Sequence, residues 1–174
     1  MRNNEIIFQL LSFGLLLALQ VFFFGKMDFY HVGFCFVFVS FIISAPSSNG
    51  VVTNMLLAFS LGVLVDIFDH TLGIHAFCSV LLAFTRDRIY RSLASQVSGD
   101  IKDIQFTYYG LGRFNFFILS IISLFIYTTF YFFLHSPGFD FFFKNLLKIV
   151  LSTIYSAIII VSVQILFYSK SKTV

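Results

Sequence analysis

Residues 60–77, SLGVLVDIFDHTLGIHAF, bring two carboxylates and two imidazoles into one short stretch: Asp66, Asp69, His70 and His75. Side chains of these types ligate zinc, exchange protons as acid and base, or titrate near neutral pH. The other histidines, His31 and His135, and two further acids, Asp28 and Asp140, lie close to turns that the topology derived below puts at the same rim. The spacing matches no His-Glu-x-x-His zinc helix, no Gly-x-Ser-x-Gly elbow and no nucleophile–base pair. Nothing in the sequence makes these residues converge, and membrane interfaces are where polar residues belong in any case. No metal, cofactor or catalytic residue is therefore assigned to them. Cys35 and Cys78 sit inside apolar runs without a Cys-x-x-Cys spacing and read as small buried hydrophobes.

The elements that must position these residues are apolar helices. The chain has 174 residues, of which 59% are hydrophobic and 11% charged, and its mean hydropathy is +0.94. That is more apolar surface than one water-soluble core can hide. Long unbroken apolar runs, rather than alternation, select helices over an outer-membrane barrel. The expected fold is all-α and polytopic, a single membrane domain over 1–174 with six transmembrane helices near 6–24, 29–45, 51–68, 73–92, 114–134 and 145–168. The first run is too long for a signal peptide and lacks a small-x-small cleavage site. PSSNG at 46–50 marks the clearest turn. The fourth span has a short strongly apolar run before Arg86, so Arg86 and Arg88 are expected to snorkel to the headgroups.

Residues 86–113 form the longest polar segment, with Ile89, Leu93, Val97 and Ile101 at helical spacing. It reads equally as an amphipathic helix on an anionic leaflet or as a solvated loop that sets topology. Arg2, Arg86, Arg88, Arg91, Lys102, Arg113, Lys170 and Lys172 share one side of a six-span arrangement, against Lys26, Lys144 and Lys148. The positive-inside rule then places both termini in the cytoplasm. The same rule accounts for the basic loop without nucleic-acid binding, and Gly110-Leu-Gly112 is too small for a phosphate loop.

In the third span Asn54, Ala58, Gly62 and Asp66 recur every four residues and share one face. Small residues there allow close backbone approach, and the polar ends allow hydrogen bonds across helices. Gly73 frees the following turn, and His75 is placed to pair with Asp66 across the hairpin. The polar residues deep in other spans, Gln9, Gln20, Asn115, Ser152, Ser156 and Gln164, read as interhelical hydrogen-bonding groups, Ser152 and Ser156 as a second close-packing face.

Gly62-Val-Leu-Val-Asp66 followed by Gly73-Ile-His75-Ala resembles the rod shape-determining protein MreD family, which carries a Gly-apolar-Asp helix end, a short variable turn and a Gly-apolar-His-Ala opening of the next helix. The match is local, and the rest of the chain fits by layout. The resemblance implies a non-enzymatic scaffold in the bacterial inner (cytoplasmic) membrane. Such a scaffold binds MreC and couples MreB filaments to peptidoglycan synthesis, with RodA and the elongation transpeptidase as complex members. It also implies roles for Gly62, Asp66, Gly73 and His75 in a docking surface, with Asp69 and His70 in the variable turn. The family is similar in layout to the substrate-binding components of energy-coupling-factor transporters, which supplies an alternative: a membrane component that binds a small, vitamin-type molecule.

Overall fold

The computed structural model describes residues 2–23, 34–46, 49–93, 111–135 and 142–167. They form helices α1 (Arg2–Phe22), α2 (Val39–Ser44), α3 (Val51–Asp69), α4 (Ile74–Leu93), α5 (Arg113–His135) and α6 (Phe142–Phe167), with no strand among the described residues. Among the described residues three helical stretches are long and apolar enough to cross a membrane: Val51–Asp69, Arg113–His135 and Asn145–Ile165. Leu10, Leu11, Phe22, Phe114, Phe133 and Ile158 are among the many large apolar side chains turned outward. A water-soluble domain would not show so much apolar surface, whereas a lipid-embedded bundle requires it. The chain is an all-α polytopic membrane protein.

The second element departs from the expected continuous span over 29–45. Of that range, 29–33 lie outside the described residues, 34–38 are non-helical, and only Val39–Ser44 form a helix. Irregular backbone is tolerated at membrane depth only where protein supplies its hydrogen bonds. Here α1 and α6 supply them. The side-chain amide of Gln20 clamps the segment at two points, donating from Nε2 to the Cys35 carbonyl and accepting at Oε1 from the Val37 N–H, both at 2.9 Å. Ser152 Oγ accepts from the Phe34 N–H at 2.9 Å, and Ser156 Oγ accepts from the Phe36 N–H at 3.0 Å while donating to the Phe34 carbonyl at 3.3 Å. The carbonyls of Phe36, Val37 and Phe38 accept from Val39, Ser40 and Phe41, a tight turn that opens α2.

Ser152 and Ser156 thus hold backbone rather than merely admitting a neighbour. Gln164, two turns further along α6, donates to Ser44 Oγ at 2.5 Å and reaches Ser40 Oγ at 3.3 Å. Residues 34–44 therefore descend parallel to α6. They run antiparallel to α1, whose Gln20 meets residues 35 and 37 while Gln9 accepts from Asn49 Nδ2 at 3.3 Å.

The far end of α2 is closed by Arg86 of α4. Its Nη1 donates to the carbonyls of Ile42 at 2.8 Å and Ala45 at 2.5 Å, while Nε and Nη2 bond Asp87 Oδ1 at 2.9 and 2.7 Å. Arg86 is 1% exposed, so it does not snorkel as expected. The last carbonyls of α2 have no helical partners, and a cation there meets both the hydrogen-bonding need and the negative end of the helix. Arg88 is exposed, with its guanidinium 4.1 Å from the Phe84 ring centroid. Residues 94–110, which include two of the positions in the expected amphipathic pattern, lie outside the described residues.

Candidate functional site

Helices α3 and α4 form the most intimate pair in the bundle, and the stripe of α3 makes the contact. Asn54, Ala58, Gly62 and Asp66 are all buried. Asn54 Nδ2 donates to the Pro46 carbonyl at 2.9 Å, fastening the start of α3 to the turn before it. At Gly62 the backbones meet. A Cβ there would lie 2.5 Å from Ala76 Cα, 2.7 Å from its nitrogen and 2.8 Å from the His75 carbonyl oxygen. Each of these is backbone that cannot rotate away, so only glycine fits without parting the helices.

Asp66 organises the turn with both its carbonyl and its carboxylate. The carbonyl accepts from the N–H groups of His70, the left-handed cap residue of α3 at φ 55°, and of Thr71. The carboxylate Oδ1 accepts from Thr71 Oγ1 and, at 3.0 Å, from the His75 N–H. Oδ2 accepts from the Ala76 N–H at 2.8 Å. His75 and Ala76 are the second and third residues of α4, the positions whose orphan amides a capping side chain normally serves. Gly73, which precedes α4, has φ +79° and no side chain to offer. The cap comes instead from the preceding helix, with its negative charge at the positive end of α4.

His75 pairs with Asp66 across the hairpin through its backbone N–H. The ring is 1% exposed, and Nδ1 shares a 2.6 Å hydrogen bond with the Tyr127 hydroxyl of α5. Its Nε2 sits 3.4 Å from Asp69 Oδ2, an ion-pair approach without hydrogen-bond geometry. Phe36, Phe38 and Tyr131 complete an aromatic wall, with centroids 5.9, 5.8 and 4.8 Å from the imidazole. One histidine thus joins α4 to α5 and to the irregular segment. Tyr127 and the wall were missed in the sequence, where aromatics are so frequent that none stands out.

His70 is exposed at the turn, and His135 stacks on Tyr131 with centroids 5.5 Å apart. His31, Asp28 and Asp140 lie outside the described residues. Among the described residues no three His, Cys, Asp or Glu side chains are placed to hold a metal ion. Cys35 and Cys78 are free and buried.

Of the other polar residues, Asn115 is exposed and bonds locally, to the carbonyl of Leu111 just before α5, at 3.4 Å. Gln9, Gln20, Asn54, Ser152, Ser156 and Gln164 reach other elements or the turns between them. A groove of about 320 Å³ lined by Arg113, Phe114, Phe117 and Val161 opens outward. It lies about 21 Å along α5 from Tyr127, at the helix rise of about 1.5 Å per residue.

In the hairpin the Asp66 carboxylate is taken up by the Thr71 hydroxyl and two backbone N–H groups, the His75 imidazole is walled in, and the turn presents Leu72 fully to the outside, at 101% exposure. No family model, characterised protein or solved structure matches the chain.

Proposed function

We propose that the protein is a non-enzymatic scaffold of the bacterial inner membrane, with both termini in the cytoplasm. In this reading it works as a member of the cell-elongation machinery, binding an MreC-like partner and helping to direct peptidoglycan synthesis. MreB, RodA and the elongation transpeptidase are then partners at one remove. The observation that carries the reading is the α3–α4 hairpin. The four residues behind the resemblance, Gly62, Asp66, Gly73 and His75, serve respectively a backbone contact, a cap, a positive-φ turn and a three-way junction. All four act on shape, and a docking surface depends on shape.

The carrier alternative would draw support from a broken helix whose free carbonyls face a ligand. The carbonyls of residues 34–38 are instead taken up by Gln20, Ser156 and the opening turn of α2. That occupancy favours the scaffold.

Purification of the tagged chain from its own membrane in mild detergent, with an Asp66→Ala variant alongside, tests the proposal. The expected result is recovery of an MreC protein with the wild type, reduced in the variant at equal protein level. Recovery of an ATPase and a coupling subunit in its place would overturn the proposal in favour of transport.

A further inference from the structure

Most hydroxyls on these helices have an obvious partner. Thr85, Thr128, Thr129, Thr153, Ser60 and Ser162 each bond the carbonyl four residues back, the usual refuge of a hydroxyl in an apolar helix. Ser40, Ser152 and Ser156, all wholly buried, bond Gln164 or the irregular segment. Ser79, Ser120 and Ser123 are just as buried, at 0% exposure, yet their Oγ atoms have no hydrogen-bond partner among the described residues.

These three fall in one place. The His75–Tyr127 hydrogen bond fixes the register of antiparallel α4 and α5. One turn along α4 from His75 is Ser79, and one turn back along α5 from Tyr127 is Ser123, so the two serines come level. A further turn brings Ser120 level with Leu82. The orphan hydroxyls thus occupy consecutive turns of a single seam, reaching about 10 Å into the bundle from Tyr127. At the seam's outer end His75 Nε2 is likewise without a hydrogen bond.

A hydroxyl carries one donor and two acceptor sites, and a buried one left unmatched is destabilising. Three in succession, beginning at a hydrogen-bonded His–Tyr pair, call for a ligand that both donates and accepts and is small enough to lie between packed helices. We propose that the α4–α5 seam is a hydration site. Internal water molecules bridge Ser79, Ser123 and Ser120, and extend the His75–Tyr127 hydrogen bond from the rim into the bundle. Internal waters typically make about three such bonds and are integral to the fold.

The full chain in lipid bilayers, with carbon-labelled serine, provides the test by water-edited solid-state NMR. Ser40, Ser152 and Ser156 serve as equally buried controls. The expected result is faster polarisation transfer from water to Ser79, Ser120 and Ser123 than to the controls. Equal, slow build-up at all six would overturn the proposal. Thermal unfolding gives an independent reading. Ser79→Ala and Ser123→Ala are each expected to lower Tm by about 2–4 °C, and the double variant by little more than either alone, because one bridge is lost. A rise in Tm for both single variants, the signature of dry orphan hydroxyls relieved by alanine, would refute the hydrated seam.

Discussion

The irregular segment at residues 34–38 and the α3–α4 turn face the same problem, non-helical backbone beside hydrocarbon, and solve it in opposite ways. The turn relies on one residue, Asp66, whose partners lie within ten positions along the chain. The segment relies on several, Gln20, Ser152 and Ser156, up to 122 positions away. A local solution makes an autonomous hairpin. A distributed one makes the segment a keystone, held only when the helices around it are in place.

The contrast can be broken by substitution. The largest effect is expected at Arg86→Met, which strips the α2 carbonyls of a charged donor and removes the ion pair with Asp87. Loss of about 3–5 kcal/mol, read by denaturant titration in detergent, would mark the segment's end as the costliest point in the bundle. Gln20→Leu orphans the Cys35 carbonyl and the Val37 N–H together and is expected to cost about 2–4 kcal/mol.

Gly62→Ala, on the hairpin side, is expected to cost about 1–3 kcal/mol as the helices are forced apart. Cysteine pairs placed across α3 and α4 would then cross-link more slowly. Asp66→Ala should cost about 1–2 kcal/mol through loss of the cap, with Asp66→Asn in between because the amide oxygen still accepts one N–H. If Asp66→Ala proved costlier than Arg86→Met, the ranking of the two solutions would be inverted.

The same contrast explains what could be read before the structure. Gly62, Asp66, Gly73 and His75 lie within 14 positions, and glycine and carboxylate spacing on a helix is visible in one dimension. The roles of Gly62 and Gly73 in close approach and turn followed from that spacing. Phe34-Cys-Phe-Val-Phe38, by contrast, looks like any apolar helix, and nothing local marks the break. The signal lay elsewhere, in the glutamines and serines of α1 and α6, which read as links between helices when they hold a broken one. Arg86 misled for a related reason. An arginine after an apolar run usually escapes to the headgroups, and the carbonyls that retain it belong to residues 42 and 45, more than 40 positions earlier. His75 pairs with Tyr127 across 52 positions, a distance at which spacing carries no information.

The distributed support of residues 34–44 also sets a timetable. As the ribosome delivers the chain into the membrane, the α3–α4 hairpin can close once Ala76 has emerged, because every group it needs is already present. Residues 34–44 are made far earlier, yet Ser152, Ser156 and Gln164 arrive only when α6 is synthesised. Until then the segment must stay hydrated, or lie in the shelter of the insertion machinery, since bare backbone in lipid costs several kcal/mol per unpaired group. Helix α6 thus locks in a stretch of the chain made more than a hundred residues before it.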